Sequence, residues 1–395
     1  MLAALILDVL LVVTLIALLI DGWRAGFARS ASAIIGTIAG AIIAFIAIPL
    51  VAAIIPAPFW RTMIVVALGI GLLVGGHAAG VRVGVMLRRK MPKGPLHTID
   101  RILGACITAV ASLLTIALIV GSVGALGVPV LSSAIASSRV LTAVEQLTPQ
   151  PVDAALARIR AAILEQGLPT IAEALGGITS SPGAPNVDGN SSALQAAAQS
   201  VVRVGGTAYA CGQNQTGSGV VIAPDRVVTN AHVVAGVEAP VIEAPNGQAL
   251  DGRVVYFDPH DDLAVISVNG LKAPALPLAS PLVVNDTGVV DGYPFGGPFT
   301  TGGARVLAVS TEQMDDIYGT SRSPREIYTL AARVNPGNSG GPLLSTTGAV
   351  AGIVFARNAK DAELGYAMTN AELQPVAEAA PRLTAAVSSG ACTRG

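Results

Sequence analysis

Three short stretches in the C-terminal half each offer one group suited to nucleophilic catalysis. Thr229-Asn230-Ala231-His232-Val233-Val234 places an imidazole just after a valine-rich run. Asp261-Asp262-Leu263-Ala264-Val265-Ile266 places acids just before another, and Pro336-Gly337-Asn338-Ser339-Gly340-Gly341-Pro342 carries a serine in a glycine turn. A serine hydroxyl is a poor nucleophile at neutral pH unless an imidazole takes its proton and a buried carboxylate holds that imidazole in one tautomer. The glycines suit the same chemistry. They let the backbone turn tightly, so that the N–H groups of Gly337 and Ser339 can converge on a developing oxyanion. Asp258, Asp261 and Asp262 compete for the acid role. Asp262 is preferred because it directly precedes the apolar run, where a carboxylate is shielded beneath the imidazole; Asp261 is the fallback. His260, the one nearby competitor of His232, reads as a loop residue.

These groups need a scaffold that brings distant segments together. From residue 193 to 395 the chain shows short Val/Ile-rich runs (GVVIAP, RVVTNA, GRVVYF, LAVISV, GAVAGIVFA) separated by Gly, Pro and Asn turns, which predicts an all-β domain. Residues 129–192 form a connector. Val152, Leu156, Ile159 and Ile163 fall on one helical face, and Ser180 to Ser192 combines Pro, Gly, Asn and Ser in the composition of a flexible linker.

Residues 1–128 read as a membrane domain. Four apolar stretches, about Met1 to Ile20, Ala31 to Ile55, Thr62 to Leu87 and Ile99 to Val128, are each long enough to cross a hydrocarbon core of about 30 Å. The first lacks a basic leader, contains Asp8 and is followed by three more spans, so it is expected to be retained. Arg24 and Arg29, then Arg88, Arg89, Lys90 and Lys93 with Arg82 and Arg101 flanking, place the first and third loops in the cytoplasm and everything after Val128 outside it. The glycines at 36 and 40, and at 71, 75, 76, 80 and 84, have the spacing of close helix contacts. Asp8 and His77 sit at depths of about 10 and 22 Å, too far apart for a direct proton relay.

Only 12% of the 395 residues are charged and the net charge is −1, half the charge fraction of a soluble protein. No basic stripe lies outside the membrane region, so nucleic acid is excluded as a partner. His77, His97, His232 and His260 are scattered away from the cysteines, which excludes a structural metal. Cys106 lies in an apolar run, whereas Cys211 and Cys392 bracket the β domain and invite one disulfide. Such a bridge restricts the unfolded chain by up to about 5 kcal/mol. It would also tie the tail to the first part of the domain, where reduction could alter activity.

GNSGGP around the serine, TNAHVV around the histidine and DDLAVI around the acid, in the order His, Asp, Ser, resemble the trypsin/chymotrypsin-like proteases, specifically their bacterial HtrA-like branch, over about Ser200 to Met368. The resemblance implies a chymotrypsin-like double β-barrel with the site between barrels, peptide hydrolysis through an acyl-enzyme on Ser339, and no cofactor. By analogy the substrate pocket has its base near Arg333 and a wall on Ile353, Val354, Phe355 and Ala356. Asn338 stands where many digestive relatives have an aspartate, so the site is expected to form without their zymogen switch, although the linker could still be cut. No PDZ domain is expected, so HtrA caging is not carried over. DGWRAGFAR and DRILGA are similar to the CvpA (colicin V production) membrane family. The two halves in this order resemble the MarP-type periplasmic proteases linked to acid resistance.

The resulting expectation is a multidomain chain, an all-α four-helix transmembrane domain followed by a double β-barrel, in a bacterial inner membrane with the protease on the periplasmic side. It would cleave envelope proteins or peptides and touch the lipid bilayer. Two other classes compete: a non-catalytic module that binds through a protease-like cleft, and a transporter or channel with a protease appended.

Overall fold

The structure, a computed structural model, describes residues 2–54, 58–89, 95–124, 135, 138–149, 151–152, 155–158, 169–171, 175–208 and 213–393. The chain divides into two compact units, residues 8–116 and the remainder.

The first unit is helical. Helices α1 (Leu2–Ala25), α2 (Phe27–Ile54), α3 (Pro58–Arg89) and α4 (Pro95–Gly124) contain four segments long and apolar enough to cross a membrane: Leu5–Ala25, Phe27–Ile48, Met63–Arg89 and His97–Ile119. The expected extension of the fourth span to Val128 lies outside the described residues. Large apolar side chains point away from the unit, Phe45 being 82% exposed, as suits a lipid-facing surface. Glycines join α2 to α3: a Cβ at Gly36 would strike the carbonyl of Gly76, and one at Gly80 would strike that of Ser32. Gly40, Gly76 and Gly84 are equally crowded, whereas Gly71 and Gly75 face open space. His77 hydrogen-bonds Thr37 across this seam at 3.1 Å.

DGWRAGFAR and DRILGA meet at one end of this unit. Gly26, at φ +74°, turns the chain between α1 and α2, and Gly104 packs against it. Asp100 Oδ1 accepts the amide of Ala28 at 3.0 Å, stabilising the first turn of α2. Its Oδ2 lies 3.2 Å from Arg88 Nε, while Arg88 Nη1 donates to the Arg24 carbonyl at 2.6 Å.

In the second unit the valine-rich runs form two barrels. Strands β2 (Val201–Ala208), β3 (Gln213–Ala223), β4 (Arg226–Thr229), β5 (Val241–Glu243), β6 (Ala249–Asp258) and β7 (Leu263–Val268) close in the order β2-β3-β4-β7-β6-β5. The second barrel comprises β8 (Thr287–Gly292), β9 (Thr300–Asp315), β10 (Arg322–Ala331), β11 (Pro342–Ser345), β12 (Val350–Asn358) and β13 (Leu364–Thr369). Its order β12-β11-β8-β9-β10-β13 is closed by β12–β13 pairing, and a two-residue strand, β1 (Thr170–Ile171), is added to β12.

Alternation makes both barrels. In β2, Val202 and Val204 point into the first core with Val221, Val227, Ile242 and Ile266. Val290, Val306, Tyr328, Leu330 and Leu343 fill the second. A third cluster joins the barrels: Val220, Val228, Leu263 and Val265 from the first meet Ile327, Leu344, Ile353 and Phe355 from the second. Each such side chain contributes about 1.5–3 kcal/mol on burial, which fixes the barrels against one another.

The segment with linker composition is anchored. Ser181 N donates to Asp361 Oδ2 at 2.8 Å, Pro185 lies against Gly303 and Val187 packs on the inter-barrel core. Ser191 then caps the helix Ser192–Ala198. Of the expected amphipathic connector face, Val152 and Leu156 are described, whereas Ile159 and Ile163 lie outside the described residues.

Candidate active site

β4 delivers the histidine. Thr229 is buried at its end and its hydroxyl donates to the Ser218 carbonyl at 2.7 Å; the chain then enters the short helix Ala231–Val234. The amide of His232 donates to Asp262 Oδ1 at 2.9 Å, while ring Nδ1 lies 2.8 Å from Oδ2 and 3.0 Å from Oδ1. An ionised carboxylate only accepts, so Nδ1 carries the proton and the neutral ring leaves Nε2 as a base.

The three competing acids take different positions. Asp258 Oδ1 accepts the amides of His260 at 2.8 Å and Asp261 at 3.2 Å, building the turn between β6 and β7. Asp262 follows at φ +53°, a left-handed conformation that aspartate tolerates, and Asn230 Nδ2 holds its carbonyl at 2.9 Å. Asp261 points elsewhere. Burial, together with Asp258 and Glu372, pushes its carboxyl above the usual range. His260 belongs to the turn and hydrogen-bonds Ser321 at 3.0 Å.

Ser339 rides a turn fastened on three sides. Asn338 N donates to the Asn335 carbonyl at 3.0 Å, and Asn338 Oδ1 accepts the Asn335 amide at 3.1 Å. Gly340 N and Val354 N exchange bonds with Val354 and Gly341 carbonyls at 2.8 and 2.9 Å, tying the turn to β12. Ser218 donates its amide to the Ser339 carbonyl at 2.8 Å and its hydroxyl to the Gly337 carbonyl at 2.7 Å, while that hydroxyl accepts the Tyr293 amide at 2.9 Å. Phe295 N donates to the Pro336 carbonyl at 2.5 Å. Because the peptide is planar and trans, the Gly337 amide points away from Phe295. Gly337 sits at φ +92°, and a Cβ there would meet Phe295 N at 2.8 Å. Only glycine fits.

Ser339 Oγ and His232 Nε2 are both shut from solvent and have no hydrogen-bond partner among the described residues. The imidazole–carboxylate link is made; the hydroxyl–imidazole link is not. Of the expected pocket residues, Arg333 is exposed, whereas Ile353, Val354, Phe355 and Ala356 are buried in β12. The guanidinium of buried Arg325 lies 5.8 Å from the Phe355 ring centroid. Cys392 is disulfide-bonded and its Sγ lies beside Gly236, four residues past His232; Cys211 lies outside the described residues. Among those described, no group of His, Cys, Asp or Glu side chains is arranged to hold a metal.

Residues 217–353 match the trypsin-like peptidase domain family, and residues 7–149 match the colicin V production protein family. Serine protease Rv3671c of Mycobacterium tuberculosis is 33% identical over 361 residues, 90% of each chain. The chain belongs to the trypsin-like serine proteases. A crystal structure of the Rv3671c protease in its active form matches with a TM-score of 0.52 and 36% identity, covering 57% of this chain and 100% of that one. Putative serine protease HhoB of Synechocystis is 33% identical over 168 residues, 41% of this chain and 39% of its own. This protease therefore joins a region of four apolar helices to a chymotrypsin-like catalytic domain.

Ser218 and Asn230 position the site, yet nothing in the sequence analysis singled them out. Asn230 sits inside the histidine motif and was readable there. Ser218 had no local signal, because the partners of its hydroxyl lie more than 70 residues away.

Proposed function

We propose that Ser339 is the nucleophile, His232 the general base and then acid, and Asp262 the residue that orients the imidazole. The observation that carries this reading is the double contact of Asp262 with the His232 ring and main chain. In acylation Nε2 removes the Oγ proton as Oγ attacks the scissile carbonyl. The proton then passes to the leaving amine, and water repeats the sequence to release the acid. Gly337 and Ser339 donate their amides to the oxyanion.

The substrates are proteins or peptides of the cell envelope, and cleavage serves envelope or acid stress. The basic first and third loops support a cytoplasmic placement for themselves and a periplasmic one for the protease, in a bacterial inner membrane. Arg333, together with β12 from Ile353 to Ala356, shapes specificity, and Cys392 pairs with Cys211. An active-serine fluorophosphonate probe tests the central assignment. It labels the parent at Ser339, and Ser339→Ala neither labels nor hydrolyses while unfolding at the parent temperature. Hydrolysis by Ser339→Ala within a few-fold of the parent would remove the assignment.

A further inference from the structure

β12 has one edge paired along its length to β13 and another that changes partner. On the second edge β11 pairs as far as Ile353, and Val354 is held by Gly340 and Gly341 of the serine turn. Arg357 N then donates to the Pro169 carbonyl at 3.2 Å, and Ala359 N to the Ile171 carbonyl at 2.9 Å. Thr170 and Ile171 run parallel to Arg357 and Asn358. From Val354 to Arg357 is three residues, about 10 Å of strand. An extended peptide with a carbonyl at Ser339 Oγ lays its neighbouring residues along this same edge, where main-chain groups recognise any sequence. The connector is already there.

It also touches the opposite flank of the serine turn. Ala157 is 1% exposed, and a Cβ on Gly297 would lie 2.5 Å from its Cβ. Gly297 closes the 294–296 turn whose Phe295 amide holds Pro336. In this arrangement the Ser339 hydroxyl and His232 Nε2 are buried and unjoined.

We propose that Pro169–Ile171 is a resident strand that occupies the peptide-docking edge of β12 and keeps the protease latent until an extended substrate segment displaces it. The inference rests on Ser339 being the nucleophile. Two residues in parallel pairing, the weaker of the two ladder types, make a contact that a longer peptide strand outcompetes. Anchors at Leu175, buried in the inter-barrel core, and at Ser181 keep the displaced strand close enough to return.

The test uses the full chain in detergent. Ile171→Pro removes a ladder donor from the resident strand. It raises both the rate of fluorophosphonate labelling at Ser339 and kcat/KM on an extended peptide by about tenfold, as expected for losing one or two backbone hydrogen bonds. Equal labelling and equal turnover in parent and variant overturn the latent-strand proposal while leaving the nucleophile in place. No labelling in either protein overturns the nucleophile assignment itself. Hydrogen exchange on the parent gives a readout that does not depend on the variant folding. Saturation with a tetrapeptide boronate exposes the Ile171 amide while the Arg357 amide stays protected. Unchanged protection at Ile171 under saturation overturns the proposal.

Discussion

Asp262 grips His232 twice, accepting its main-chain amide on Oδ1 at 2.9 Å and its ring Nδ1 on Oδ2 at 2.8 Å. The ring orientation and tautomer are therefore set before any substrate arrives, and an inward-turned left-handed aspartate makes the geometry possible.

Asp262→Asn keeps the shape but presents an amide that can donate to Nδ1 and favour the wrong tautomer. Turnover falls about 10⁴-fold with little change in KM. Asp261→Asn, one residue away and clear of the ring, stays within a few-fold of the parent. Steady-state kinetics on both variants check this, and equal losses would mean that the two acids share the role.

Ser218→Ala removes the hydroxyl that bridges the Gly337 carbonyl and the Tyr293 amide. Each buried group left without a partner costs about 1–3 kcal/mol, and the oxyanion turn loosens. The expected result is a 10- to 100-fold fall in kcat with KM nearly constant. A rise in KM at constant kcat would assign Ser218 to substrate binding instead.

Asp291, fully buried on β8 next to Val290, which pairs with Leu343 of β11, has no hydrogen-bond partner for either oxygen among the described residues. Burial pushes its carboxyl up to about 7 from an ordinary 3.8, and the Thr301 hydroxyl, outside hydrogen-bonding geometry, offsets this only in part. Between these values the unfolded chain has released the proton that the native protein keeps. Stability therefore falls as pH rises from about 4 to 7 and levels off above that. Asp291→Asn removes the penalty. Denaturant unfolding should show parent and variant alike near pH 4, with the variant more stable by up to about 4 kcal/mol at pH 8. Curves that stay parallel across the range would contradict this.

Asp100→Asn leaves Arg88 without its carboxylate and weakens the cap on α2. Breaking a largely buried pair on one side costs about 3 kcal/mol. Thermal unfolding of the detergent-solubilised chain moves down, and Arg88→Lys, which keeps the charge, moves it less. An unchanged midpoint for Asp100→Asn would show that the pair is replaceable by water.

The His232–Asp262 pairing was legible because each residue sits in a local pattern whose chemistry is tied to its own neighbours, and the barrels were legible as alternating valine runs bounded by turns. What composition could not show is contact at long range. Ser180 to Ser192 has the residues of a loose tether, yet Ser181 is fixed by Asp361, 180 positions away. Asp291 sits in a valine run and reads as an ordinary strand residue. Thr170–Ile171 is too short to carry any period of its own; only the free edge of β12 makes it a strand. Five of the seven glycines, Gly36, Gly40, Gly76, Gly80 and Gly84, mark close contacts, while Gly71 and Gly75 share the spacing but face open space.

Where α2 and α3 meet, main chain rests on main chain, with no side chains between them at Gly36, Gly76 and Gly80. A joint so thin leaves no room for a lumen between the two helices at these positions. Mechanically these two helices act as a single stiff plate, and bending one means bending both.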